Sequence, residues 1–276
     1  MIKDLVVNLT VGNGRDAAAQ FAISIAARFG AHIAGIAFAY DPVITPTVMD
    51  GLSATWVDAQ RAENRATAQE AVDRFEATAK REGLSAEHRI VDADLGLAAT
   101  LFGRIARCFD LAVVGQTDPE RVLPDDLLIE ALLFESGRPA LVVPYIQQEA
   151  LKLSHVLVCW DGSHNAARAV AASLPFLMRA EKVEIVTVAS GDGKTDELAG
   201  ADLGEHLARH GLNVEVKRLV AARVDISNVI LSYTADCSAD FIVMGGYGHS
   251  RLREFVLGGA TRGMLQSMTV PVLMAH

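Results

Sequence analysis

The chain has 276 residues, 51% of them hydrophobic, with 34 acidic against 25 basic side chains and a formal net charge of −9 at pH 7. That length and apolar content suffice for two domains with dry cores, and the acidic balance without a basic stripe argues against nucleic-acid binding. Cys108, Cys159 and Cys237 show neither paired nor metal-ligand spacing, and neither a leader nor an apolar run of membrane-spanning length stands out, so core thiols and a cytoplasmic protein without a membrane partner are expected.

From the N-terminus, the apolar run Leu5 to Leu9 predicts a first strand. Gly12-Asn13-Gly14-Arg15-Asp16-Ala17 follows at the start of an alanine-rich helix and imitates a dinucleotide fingerprint. Arg15 and Asp16 crowd that turn, however, and Asp41 lies beyond the spacing of about 20 residues expected of a ribose-binding carboxylate. NAD is therefore an outlying alternative. Further strands are expected near His32 to Phe38, Glu87 to Val91, Leu111 to Val114 and Ala140 to Val143, with helices in the intervals. The apolar loop Asp41 to Gly51, punctuated by Pro42 and Pro46, reads equally as an interface or as a cover over its own core. Tyr145 to Ala150 is the expected linker.

The second half repeats the plan, with strands near Val156 to Trp160, Val183 to Ala189, Val214 to Val220, Phe241 to Met244 and Val272 to Met274. Asp110-Leu111-Ala112-Val113-Val114-Gly115 answers to Asp240-Phe241-Ile242-Val243-Met244-Gly245, and Pro139 to Pro271. Two domains are expected, residues 1–147 and 151–276. Each is a doubly wound parallel sheet of the Rossmann-like α/β class. Gly193-Lys194-Thr195 imitates the end of a Walker A loop, but the first glycine of that motif would fall at Val188, so a surface turn is expected.

Three features of the second half carry the functional reading. Its first strand ends in Trp160-Asp161-Gly162-Ser163, its fourth runs into Gly245-Gly246-Tyr247-Gly248, and nine residues later come Gly258-Gly259-Ala260-Thr261. Glycines let a backbone approach a bulky anion, and a helix start supplies N–H donors for phosphate. The plainer alternative is that these glycines shape a tight turn and allow close packing. The spacing resembles that of the universal stress protein family. This resemblance implies strand order 3-2-1-4-5 in two tandem domains and ATP phosphates cradled by Gly245, Gly248 and Gly258, with Gly259, Ala260 and Thr261 completing the pattern. Gly259 departs from the family's hydroxyl residue, and the nearest hydroxyl is Thr261. The same resemblance gives Asp161 the adenine end of the ligand; the alternative for Asp161 is a helix cap or Asx-turn. Val188 and Val220, at the ends of the second and third strands, are the candidates to enclose the base, and read equally as ordinary core. His249, Arg251, Arg253 and Arg262 are near enough in sequence to add positive charge, although each alone reads as a solvated surface group.

In the first half Gly115, Gln116, Thr117 and Asp118 stand opposite Gly245, Gly246, Tyr247 and Gly248, Asp126 stands opposite Gly258 beside Asp125, and Thr10 stands opposite Asp161. Carboxylates there would repel phosphate, so that copy is expected to be degenerate. The implied cofactor is ATP or another adenine nucleotide, ADP or AMP, with Mg²⁺ as companion ion, and the implied role is sensing or regulation in a stress response. A scaffold that binds no nucleotide and a weak ATPase are the alternatives; no constellation for fast hydrolysis is present. Tandem members form an intrachain pseudo-dimer, which implies edge-to-edge pairing of Ala140 to Val143 with Val272 to Met274. A homodimer could add contacts through the loop around Ile44.

Overall fold

The computed structural model describes residues 1–12, 14–42, 54–118, 126–190, 199–221, 224–247 and 259–276. Most of the loop Asp41 to Gly51, the turn at Lys194, Asp125, and the candidate site residues Gly248, His249, Arg251, Arg253 and Gly258 lie outside the described residues. By internal contacts the chain divides into two compact units, Ile2–Arg138 and Pro139–His276.

The first unit runs β1 (Asp4–Asn8), α1 (Ala17–Phe29), β2 (His32–Tyr40), α2 (Ala54–Arg81), β3 (Ala86–Ala93), α3 (Leu95–Ala106), β4 (Leu111–Gly115) and α4 (Asp126–Ala131), the last continuing into a π-helical turn, Leu132–Ser136. Its strands lie in the order β3-β2-β1-β4, all parallel, with Leu5 beside Ile33 on one side and Leu111 on the other. Helices cover both faces of such a sheet, which is why its central strands read as unbroken apolar runs: Leu5, Val6, Val7, Ile33, Ile36 and Phe38 are fully buried. Only the second half of α2 packs in this way. Ala68, Ala71, Val72, Phe75 and Ala79 are buried at helical spacing, and the Phe75 ring fills the space over Gly35, where a Cβ would come within 2.8 Å of it. Asp16 caps α1, its two carboxylate oxygens accepting from the N–H groups of Ala19 at 2.9 Å and Thr10 at 2.7 Å. A carboxylate thus occupies the helix start where the Gly12 to Ala17 pattern would have needed a pyrophosphate.

The second unit contains β5 (Ala140–Val143), β6 (His155–Cys159), α5 (His164–Leu177), β7 (Lys182–Ser190), α6 (Ala199–Arg209), β8 (Val214–Ala221), α7 (Ile226–Asp236), β9 (Phe241–Gly245), α8 (Gly259–Ser267) and β10 (Val272–Ala275). Counted from β6, its parallel strands take the order 3-2-1-4-5, as β8-β7-β6-β9-β10. β5 joins antiparallel on the far side of β10, with Val142 opposite Val272 and Ala140 opposite Met274. The strand that closes the first sequence repeat therefore packs with the second unit, and the two expected fifth strands do meet. In the core Phe176 stacks on Phe241 with ring centroids 5.2 Å apart. β8 forms the opposite edge and leaves Val216 and Val220 well exposed. Among the described residues no helix is long and apolar enough to cross a membrane.

Candidate functional site

In the second unit the connections leave β6 and β9, which are neighbours in the sheet, toward opposite sides. This reversal opens a crevice beyond their carboxyl ends, the general location of ligands in open α/β sheets. Two loops flank it: Trp160 to Ser163 after β6, and Gly245 to Tyr247 after β9.

The loop after β9 is held by side chains from two helices. Asn165, in the first turn of α5 and fully buried, donates its amide to the carbonyls of Gly246 at 2.7 Å and Tyr247 at 3.1 Å. Thr261 on α8, also buried, accepts the Tyr247 N–H on Oγ1 at 3.1 Å. Both peptide groups of Tyr247 are therefore fixed, and the residue sits at φ 46°, a left-handed conformation that a bulky side chain adopts only when its surroundings impose it. Asn165 was not among the expected site residues. Thr261 was, as the nearest hydroxyl to the glycine pattern, and its oxygen anchors the loop.

Gly245 has a packing reason to be glycine. A Cβ there would lie 2.7 Å from the Ala166 nitrogen and 3.0 Å from the Asn165 carbonyl carbon, so β9 can end against α5 only without a side chain. Gly259 opens α8 with nothing within 4 Å of its would-be Cβ, and Ala260 beside it is half-buried. Arg262, one turn into α8, is exposed.

After β6, Asp161 is exposed and accepts the Ser163 N–H on Oδ1 at 2.9 Å, the Asx-turn geometry. Ser163 itself caps α5 by accepting from Ala166 N–H at 3.1 Å. Asp161 therefore shapes the turn, and its Oδ2 has no hydrogen bond to a described residue. Just before it, burial and then the Asp161 carboxylate push the Cys159 thiol up to about 12. Val188 is half-buried, whereas Val220 is 63% exposed and flanks it one register position further on β8.

These residues fit an adenine nucleotide at one end. A carboxylate with an open oxygen suits the exocyclic donor of a base, and two valines at the strand ends offer apolar contact. The buried Asn165 Oδ1, which has no hydrogen-bond partner among the described residues, is an acceptor and awaits a donor, so it does not call for a phosphate. In the first unit, at the matching place, Thr117 Oγ1 donates to the Asp126 carboxylate at 2.7 Å in an exposed contact.

Of the three cysteines expected in the core, Cys108 is exposed, since it falls in the turn after α3 rather than on a packed face. Cys237 is half-buried and lies close to His155 and Glu184 at the other end of the unit.

The model of the universal stress protein family matches residues 152–276. A universal stress protein of Synechocystis is 29% identical over 179 residues, which are 60% of this chain and 57% of that protein; the chain thus spans little more than half of that relative's length. Among solved structures, a universal stress protein from Archaeoglobus fulgidus aligns over 99% of this chain and 95% of its own, with TM-score 0.71 and 15% identity. A functionally unknown protein from Pseudomonas aeruginosa aligns over 99% and 92%, with TM-score 0.62 and 14% identity. At such identities the two structures speak for the fold.

Proposed function

We propose that this chain, a member of the universal stress protein family through its residues 152–276, binds one adenine nucleotide in its second half and acts as a nucleotide-linked sensor or regulator in a stress response. The observation that carries this reading is the difference between the two copies at the crevice. In the second, the loop after the fourth strand is anchored by Asn165 and Thr261, and Asp161, on the loop after the first strand, has a carboxylate oxygen with no hydrogen bond to a described residue. In the first, an acidic side chain, Asp126, stands at the matching place and accepts a hydrogen bond from Thr117. In this reading Asp161, Val188 and Val220 meet the base, while Gly245, Gly248, His249, Gly258, Gly259, Ala260 and Thr261 form or support the phosphate loop. The domains are residues 1–147, which bind no nucleotide, and 151–276, which do. Any catalysis in this reading is at most slow hydrolysis of the nucleotide.

One observation favours the scaffold alternative: Gly245 is explained by packing alone. Two measurements separate the readings. Protein purified without added nucleotide is extracted and analysed by mass spectrometry, and the stripped protein is titrated with ATP in a calorimeter. One nucleotide per chain is expected. No bound nucleotide and no heat of binding would favour the scaffold, and a stoichiometry near two would show that the first copy is not degenerate.

A further inference from the structure

At the end of the second unit away from the crevice, three side chains of metal-ligating type converge. His155 is the first residue of β6, Glu184 the third of β7, and Cys237 directly follows α7. A ring nitrogen of His155, a carboxylate oxygen of Glu184 and the Cys237 sulfur all lie within 4.8 Å of one another. His155 and Glu184 are buried, at 8% and 5% exposure, and Cys237 is half-buried.

The hydrogen bonds around these groups say more than their proximity. His155 Nδ1 is 3.2 Å from the Cys237 carbonyl oxygen, an obligate acceptor, so Nδ1 carries the proton. In the neutral ring Nε2 then points a lone pair at Glu184 Oε2, 3.1 Å away. Two lone pairs at that distance repel unless a cation stands between them. A proton is the smallest such occupant; a divalent metal ion is the other. The outer partners suit the metal: ligating imidazoles characteristically donate their second N–H to a carbonyl or carboxylate, and ligating carboxylates are themselves hydrogen-bonded. Here Nδ1–H faces the Cys237 carbonyl, and the Tyr233 hydroxyl donates to Glu184 Oε1 at 3.0 Å.

We propose that His155, Glu184 and Cys237 bind a divalent transition-metal ion of the zinc type. One imidazole, one carboxylate and one thiolate form a borderline donor set that suits Zn²⁺ or Co²⁺ and not the oxygen-seeking Mg²⁺ or Ca²⁺. Binding displaces the proton shared by Nε2 and Oε2 and the thiol proton, so a 2+ ion with two anionic ligands leaves a neutral buried site. Metal–ligand bonds of about 2.0 to 2.3 Å put tetrahedral donors about 3.3 to 3.8 Å apart. The Nε2 to Oε2 separation is near that already, and the sulfur closes the remainder by rotating about the Cys237 side chain. The first repeat lacks the set: at its strand starts His32 and Asp4 form a partly exposed pair, and Arg107 stands in the place of Cys237.

The test uses the full chain, stripped with a chelator and free of nucleotide, titrated with Zn²⁺ and separately with Co²⁺. One ion per chain is expected, and the Co²⁺ form should show near-ultraviolet thiolate charge transfer with the visible absorption of a four-coordinate ion. Cys237→Ser should abolish the charge-transfer band, and Glu184→Gln, which keeps the Tyr233 hydrogen bond, should weaken Zn²⁺ binding at least tenfold. Cys108→Ser and Cys159→Ser should change neither. The proposal fails if the wild-type protein takes up no Zn²⁺ or gives no thiolate band, a result that needs no variant to fold. It fails equally if the band survives Cys237→Ser.

Discussion

Asn165→Ala tests whether the loop after β9 is built or merely tolerated. The substitution removes two hydrogen bonds, to the carbonyls of Gly246 and Tyr247, from a fully buried position. At about 1.5 kcal/mol for each acceptor left dry, the loss is about 3 kcal/mol, and deleting the partnerless Oδ1 returns about 1 kcal/mol of its own desolvation cost. The net destabilisation is about 2 kcal/mol, roughly a 30-fold change in the unfolding constant. Urea unfolding followed by far-ultraviolet circular dichroism measures it as a lowered midpoint with unchanged slope. The freed Tyr247 would also leave its left-handed conformation, so ATP binding should weaken beyond what the loss of folded protein explains. A change below about 0.5 kcal/mol, the scale of an ordinary surface substitution, would refute the reasoning.

Gly245→Ala should destabilise the second unit by about 1 to 3 kcal/mol, because the new methyl meets the backbone of α5 and neither side is a flexible chain end; a normal urea midpoint would show that β9 and α5 can part without cost. Alkylation with iodoacetamide at pH 8.5, followed by peptide mass spectrometry, should label exposed Cys108 and spare Cys159, whose thiol titrates at about 12. Since that folded value lies above the ordinary 9.0, the unfolded chain loses this proton first, and stability should fall as pH rises from about 9 toward 12; Cys159→Ala should flatten that decline. Asp161→Ala should weaken ATP binding by about 1 to 3 kcal/mol and narrow the preference over GTP if its open oxygen reads the base. Equal losses for ATP, GTP and ribose triphosphate would assign Asp161 to the turn alone.

The strands were legible because parallel strands buried on both faces must be continuously apolar, and the repeat placed Gly115 against Gly245 and Pro139 against Pro271. Strand ends were less so: β2 runs on to Tyr40 because β3 continues beside it to Ala93, a fact of pairing that no local pattern encodes. Asp161 and Gly245 were found by motif, but their contacts came from the fold, an Asx-turn in one case and the approach of α5 in the other. Asn165 could not be found this way. An asparagine in the first turn of a helix reads as ordinary end chemistry, and its partners are 81 and 82 residues away. His155, Glu184 and Cys237 are likewise scattered over three elements, so spacing rules for metal ligands pass over them.

The pairing of β5 with β10 has a consequence for the order in which the protein can be made. Ala140–Val143 leaves the ribosome well before the strand it pairs with, Val272–Ala275. Throughout translation of the second repeat that apolar strand has no β10 to meet, and an unpaired strand edge is a template for association with other nascent chains. Val272–Ala275 therefore acts as the clasp of the second unit. A ribosome that stalls before Val272 releases a chain whose β5 lacks that pairing and whose second unit lacks its fifth parallel strand.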